Sequence, residues 1–251
     1  MFKTEFRIHF DHLEIGICFE YSNFVLRILN MNTFVSTLSR FVLARAVRSL
    51  LIKDINGLDN IPKKSNFILA SNHLSHSDWF MSGYITTPRR FTFLAQVDQY
   101  TGFKKMWRNL IYWWGGIIPI NRKSDESKRR AIATAIKMLK EGYCVVIYPE
   151  GGRAYDGVMR DFKSGVGKLH LESGVPVLPA ALKGTQDLMP PHGKLKLKKV
   201  AQVSIGNPLD FPQERQAAQI MDKDSHEYRK LCAGVAKKIE DRVRELAATI
   251  N

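Results

Sequence analysis

Cysteine is scarce in this chain: Cys18, Cys144 and Cys232 are the only three, and all lie far apart. With no C-x-x-C pair, the spacing of a structural zinc site is missing, and no metal site is expected. The odd, scattered count fits free thiols in a reducing compartment. Other common signatures are also missing. The chain has no G-x-S-x-G nucleophile elbow, which argues against a serine hydrolase. It has no Walker A loop and no H-E-x-x-H, and Gly165-Val166-Gly167 fails as a dinucleotide fingerprint because His170 stands where a glycine is needed. Residues 1–20 carry acidic side chains and no clean apolar stretch, so they do not read as a secretory leader. The pattern becomes orderly only after Met31, a second candidate start.

A clean membrane-spanning run is lacking as well. Residues 33–52 have the length, but Arg40, Arg45 and Arg48 fall within them. Each central Arg costs roughly 2.5–3.5 kcal/mol on insertion, and each large apolar residue returns only about 0.3–0.6 kcal/mol. Spanning loses that comparison. On a helical wheel the arginines share an arc of about 140°, with Val35, Val42, Leu43, Ala46 and Leu50 opposite. Two readings fit: an amphipathic helix lying in a membrane interface, or a soluble helix packed on a core.

Acidic residues are outnumbered, 24 against 38 Lys and Arg, for a formal charge of +14. Such an excess attracts polyanions of any kind: nucleic acid, an anionic membrane or a phosphorylated small molecule. Nucleic acid has no RNP, helix-turn-helix or zinc pattern to support it. The 45% hydrophobic content over 251 residues fits one globular domain, or one with an appendage. Short β-rich runs (67–70, 91–95, 117–120, 143–148, 175–182, 200–205) alternate with helical stretches (78–85, 98–113, 124–140, 164–173, and 212–249 with an interruption). That alternation predicts a single α/β domain with a mostly parallel sheet flanked by helices, over residues 54–251. An N-terminal amphipathic helical segment, 1–53, precedes it. The stretch Lys194-Leu195-Lys196-Leu197-Lys198-Lys199 alternates like an exposed strand and suits solubility or surface attachment.

Four segments carry chemistry. In Ser71-Asn72-His73-Leu74-Ser75-His76-Ser77-Asp78, an apolar strand runs into an apolar helix. His73 then falls at the strand's carboxyl end, where open α/β sheets place their sites. Ser77 reads as the helix N-cap, with Asp78 in the first turn. A carboxylate five residues on can fix the imidazole tautomer while the other ring nitrogen takes a proton from a hydroxyl. His76 is a rival base, without an acidic residue five positions on. The spacing alone carries about 0.4 chance matches in a chain of this composition, so it needs company. Gly115-Gly116-Ile117-Ile118-Pro119-Ile120-Asn121-Arg122 ends a strand with an Arg that can fork onto a phosphate or form a surface ion pair. In Val145-Val146-Ile147-Tyr148-Pro149-Glu150-Gly151-Gly152-Arg153 the glycines let backbone amides approach a ligand closely, or the segment is a strand-end turn with an exposed ion pair. Glu150 there can accept from a glycerol hydroxyl, and Arg153 can pair with phosphate. Gly174-Val175-Pro176-Val177-Leu178-Pro179-Ala180 reads as an edge strand, a tunnel wall or plain core.

Taken in this order, the four segments resemble the glycerolipid acyltransferase family over residues 56–209. The resemblance implies the glycerol-3-phosphate acyltransferase-like fold, with His73 as catalytic base and Asp78 as its partner. It implies Arg122, Glu150, Gly151, Arg153 and, in Phe162-Lys163-Ser164-Gly165, Lys163 as phosphate- and glycerol-binding residues. The family's third motif is usually Phe-Pro-Glu-Gly-Thr-Arg-Ser; here Tyr148, Gly152 and Ala154 depart from it, so two hydroxyls are missing. The implied reaction moves a fatty acyl group from acyl-CoA or acyl-carrier protein onto a lysophospholipid, with 1-acylglycerol-3-phosphate the leading acceptor. Another lysophospholipid, glycerol-3-phosphate, or a non-catalytic lipid-binding role are the alternatives. The thioester is a co-substrate and no other cofactor is expected. The basic aromatic stretches Phe103-Lys104-Lys105-Met106-Trp107-Arg108 and Tyr112-Trp113-Trp114 suit a headgroup region. The expected location is therefore peripheral, on the cytoplasmic side of an anionic membrane.

Overall fold

Along the central strands, apolar side chains alternate between two faces, and each face is roofed by helices. The computed structural model describes residues 5–10, 13–18, 33–96, 117–121, 123–190 and 193–250. Within these, β1 (Glu5–Phe10) and β2 (Leu13–Cys18) form a two-stranded antiparallel sheet. The first part of the N-terminal segment is thus a hairpin where a helical segment is expected. Helix α1 (Thr33–Leu50) follows, then β3 (Ile52–Asn56), β4 (Ile68–Ser71), α2 (Asp78–Thr86), β5 (Phe91–Gln96) and β6 (Ile118–Ile120). The remainder runs α3 (Asp125–Lys140), β7 (Cys144–Ile147), α4 (Gly165–Ser173), β8 (Val177–Lys183), α5 (Thr185–Leu188), β9 (Ala201–Ile205), α6 (Pro212–Ile220) and α7 (His226–Ala248).

Seven strands make one sheet in the order β3-β9-β8-β4-β7-β5-β6. Every ladder in it is parallel except β8 with β9. The expected mostly parallel α/β sheet is what the chain forms. On one face Ile68, Ala70, Val145 and Ile147 pack against α3, α4, α6 and α7 through residues such as Leu139, Leu169, Tyr228 and Ile239. On the other face Phe67, Leu69, Cys144 and Val146 meet Val47 of α1 together with Met81 and Ile85 of α2. Burying each large aliphatic side chain contributes about 1.5–3 kcal/mol relative to exposure. Both central strands, β4 and β7, are buried at every position, as a sheet roofed on both faces demands.

The same apolar cluster holds Val47, Leu51 and Ile52, so the end of α1 packs as part of the sheet's own core. Strand β3 was hidden from the pattern because only Ile52 of its five residues is buried. The helical stretch expected over 212–249 with an interruption is two helices. Chain 221–225 breaks it, and Ser225 restarts α7 by accepting from the Tyr228 amide at 3.0 Å. Residues 194–199, expected as an exposed strand, are exposed but join no ladder. The expected helix 98–113, the aromatic stretches within 103–114 and Arg122 lie outside the described residues. Ser124 caps α3, its Oγ accepting from Ser127 N at 3.2 Å.

Helices α4 and α7 come into backbone contact at Gly167. A methyl group added there would stand 2.1 Å from the Cys232 carbonyl oxygen, a backbone atom of α7. Gly167→Ala must therefore push the two helices apart, and we expect a loss of about 1–3 kcal/mol, read as a lower urea midpoint. An unchanged midpoint would show that the interface is loose.

Candidate active site

Strand β4 delivers His73 to the carboxyl edge of the sheet, and the way it leaves the sheet explains the site. At Asn72 the side chain takes over from the backbone. Its Nδ2 donates to Leu182 O at 2.9 Å and its Oδ1 accepts from Leu182 N at 2.8 Å. The amide thus completes the ladder with β8. The next peptide is then free to turn. The His73 N–H donates to Glu150 Oε1 at 2.6 Å, and the His73 carbonyl accepts from Ala154 N at 2.7 Å.

One oxygen of Asp78 organises the loop that follows. Asp78 Oδ2 lies 2.7 Å from His73 Nδ1 and accepts from Leu74 N at 2.7 Å and Ser75 N at 2.8 Å. Its other oxygen, Oδ1, is buried and has no hydrogen-bond partner among the described residues. The Asp78 carboxylate is fully buried and the His73 side chain is 16% exposed. An ionised Asp78 assigns the ring proton to Nδ1 and leaves the Nε2 lone pair available as a base. Ser77 begins α2 without capping it by side chain. Its hydroxyl donates instead to Thr185 O at 2.8 Å, while Ser75 Oγ donates to Met189 O at 2.7 Å. Ser77, expected to serve the helix start, and Ser75 together fasten the His73 loop to the chain beyond β8.

Below the imidazole lies Tyr148, at the end of β7. The two rings stack with centroids 4.1 Å apart and an 11° tilt. The phenol oxygen sits 2.9 Å from Ser82 Oγ of α2. Burial, then the nearby Asp78 carboxylate, pushes the phenol well above its usual range, so it stays neutral. Sequence reasoning registered Tyr148 only as a departure from a motif. An aromatic residue directly before Pro-Glu-Gly was the available signal.

Glu150 corrects an expectation. Rather than facing a substrate hydroxyl, it is 4% exposed. Its oxygens accept from two backbone amides, Oε1 from His73 and Oε2 from Arg160 at 2.8 Å. Burial pushes its carboxyl up, although both amides favour the charged form. Glu150 therefore braces the His73 loop against residues 150–160. A second carboxylate secures that segment's exit: Glu240 of α7 accepts from Phe162 N at 2.7 Å. Burial would raise the Glu240 carboxyl, but Lys237, that amide and Arg244 outweigh it and hold it at about 2.

Gly151 has φ +74°, and Lys163 passes so close that any side chain at 151 would strike its ammonium group and outer methylenes. Gly151 and Lys163 are thus brought together at the carboxyl edge. Arg153 donates to Nε2 of His76 and stacks on Tyr155, its guanidinium 5.0 Å from the ring centre. Burial, then Arg153 and His73, hold the His76 imidazole below its ordinary value, so it is a neutral acceptor for Arg153. His73, His76, Arg153 and Lys163 therefore gather on the loops at one edge of the sheet. Strand β6, which precedes Arg122, ends at the same edge but three strands from β4. Ala154, where the resemblance expects Ser, is fully buried and contributes through its amide. Among the described residues no group of three or more His, Cys, Asp or Glu is placed to hold a metal ion.

A buried carboxylate, an imidazole with one ring nitrogen unpartnered among the described residues and neighbouring cations make an acid–base pair on an open α/β sheet. Comparison with known proteins places it further. The acyltransferase family model matches residues 53–183, more than half of the chain, and the chain belongs to that family. It is 35% identical over 133 residues to the 1-acyl-sn-glycerol-3-phosphate acyltransferase of Borreliella burgdorferi, covering 53% of this chain and 52% of that protein. The enzyme of that name from Bacillus subtilis is 27% identical over 189 residues, 75% of this chain and 84% of its own length. The chain spans only about half the length of the Borreliella relative, and 39% of a chloroplast relative from Brassica napus. The fold matches the crystal structure of the 1-acyl-sn-glycerophosphate acyltransferase of Thermotoga maritima. The TM-score is 0.62 at 24% identity, over 92% of this chain and 89% of that one.

The brace makes its own prediction. Glu150→Gln replaces one acceptor by an N–H2 group facing a backbone N–H, and should cost about 1–3 kcal/mol of stability in urea unfolding. A substrate-binding Glu150 would instead leave stability unchanged and raise only the KM.

Proposed function

We propose that the chain transfers a fatty acyl group from an acyl thioester, acyl-CoA or acyl-carrier protein, to the free hydroxyl of 1-acylglycerol-3-phosphate, giving phosphatidic acid. The observation that carries this reading is the His73–Asp78 pair, with Nε2 left free at the carboxyl edge of the sheet beside Arg153 and Lys163. The family membership and the names of the relatives support the substrate class.

In this mechanism the acceptor's phosphate pairs with Arg153 and Lys163, with Arg122 assigned the same duty by the family resemblance. The hydroxyl gives its proton to His73 Nε2 as its oxygen attacks the thioester carbonyl. Asp78 stabilises the resulting imidazolium through Nδ1, and the ring face of Tyr148 adds an attraction for the cation. A tetrahedral oxyanion forms and collapses, the C–S bond breaks, and the leaving thiolate recovers the proton from His73. No acyl-enzyme is required, in keeping with the missing nucleophile elbow.

The acceptor and product are bilayer lipids. Among the described residues no helix is long and apolar enough to cross a membrane. We assign the enzyme to the cytoplasmic face of an anionic membrane, with α1 and the basic aromatic stretch at 103–114 at the interface.

The decisive assay mixes purified protein with acyl-CoA or acyl-carrier protein donors and a panel of lysolipids. Transfer to lysophosphatidate is expected, and His73→Ala should lose at least about 10²–10⁴-fold in kcat while remaining folded. Near-normal turnover by folded His73→Ala would sink the mechanism. Tyr148→Leu should lower kcat by about 3–30-fold at unchanged KM, as the loss of one ring–cation contact predicts, and Tyr148→Phe should restore most of it. Equal losses in the Leu and Phe variants would place the effect in the hydroxyl rather than the stack.

A further inference from the structure

The segment 193–199 stands out on the surface. It is exposed throughout and reads Gly193-Lys194-Leu195-Lys196-Leu197-Lys198-Lys199. No carboxylate pairs with any of its four lysines among the described residues. Leu197 is 71% exposed between two of them. Leucines held in water between unpaired lysines gain nothing from solubility alone.

The loop is rooted at the active site. Its upstream end is tied to the His73 loop through Ser75 Oγ and Met189 O. Lys196 N donates to Leu188 O at 2.8 Å, and Val200 N and Ala201 N donate to Leu51 O at 3.1 and 2.9 Å, at the end of α1. The loop therefore crosses the catalytic edge of the sheet from His73 to α1. Other exposed apolar residues flank the site: Trp79 beside Asp78, and Tyr155 and Val158 beyond Arg153.

We propose that residues 193–199 form a docking loop for an anionic lipid bilayer, which sets the membrane against the mouth of the site. The inference rests on the acyl-transfer reading for its purpose, but the loop's chemistry stands alone. Lysines pair with lipid phosphates, each adding roughly fivefold to partitioning onto an anionic surface, and Leu195 and Leu197 enter the boundary of the acyl region. A nucleic acid would match the charge and leave both leucines in water.

The test uses the full chain, a Lys194→Glu/Lys196→Glu/Lys198→Glu/Lys199→Glu variant and a Leu195→Ser/Leu197→Ser variant. Co-sedimentation is measured on phosphatidylcholine vesicles with and without phosphatidylglycerol. Transfer is measured to vesicle-held long-chain lysophosphatidate and to a short-chain, monomeric one. Charge reversal should weaken binding to the anionic vesicles by at least about tenfold and depress vesicle transfer in step. Monomeric transfer should be untouched. The leucine variant should weaken binding at every salt concentration. Unchanged vesicle binding in both variants would overturn the proposal. So would a loss of transfer confined to acyl-carrier protein as donor, which would make an acidic protein the occupant. If the parent chain transfers no acyl group to the monomeric substrate, the acyl-transfer reading fails, and the binding arm still decides the loop.

Discussion

Asp78 Oδ2 receives three N–H groups, from the His73 ring and from the amides of Leu74 and Ser75. The backbone of the loop and the orientation of the imidazole are thereby set by the same atom. A carboxylate in a dry site is costly unless several donors reach it. That need forces residues 73–75 to curl around Asp78, and the curl turns the other ring nitrogen outward. The geometry of the base is thus a by-product of satisfying one buried charge. Glu150 repeats the device one loop away, and Glu240 repeats it again at the far end of that loop.

These three carboxylates differ in how visible they were. His73 and Asp78 announced themselves by spacing and by their place between a strand and a helix. Glu150 was visible as a motif residue, but its role was misread. A sequence shows that an acid follows a strand, and it does not show whether that acid faces solvent or two distant amides. Glu240 gave no sign at all: it sits mid-helix among Lys237, Asp241 and Arg244, like any residue of a solvated face. The central strands were legible because their roofed faces demand unbroken apolar runs. Strand β3 was not, since a strand with one buried residue leaves no periodic trace, and its pairing with β9 is fixed by tertiary contact.

The departures at the third motif now have physical content. Tyr148 keeps the stacking face of an aromatic residue and adds a tether to Ser82. Ala154 lacks the hydroxyl that a serine would carry, and the site uses that position through its amide, donated to the His73 carbonyl. Neither change disturbs the base. Between these positions Arg153 is held by His76 and Tyr155.

The single antiparallel ladder of the seven-stranded sheet, β8 with β9, decides what gathers at the sheet's carboxyl edge. Had β9 run parallel, the chain would have returned across the sheet through a covering helix, and the connection would have been sealed. Reversal lets it turn back directly. The starts of β9 and β3, and with them the end of α1, come to the rim where the strands bearing His73 and Glu150 finish. One change of strand direction thus gathers chemistry, cations and uncovered leucines on a common horizon and leaves the opposite edge to α6 and the strand beginnings. The molecule thereby acquires a front and a back.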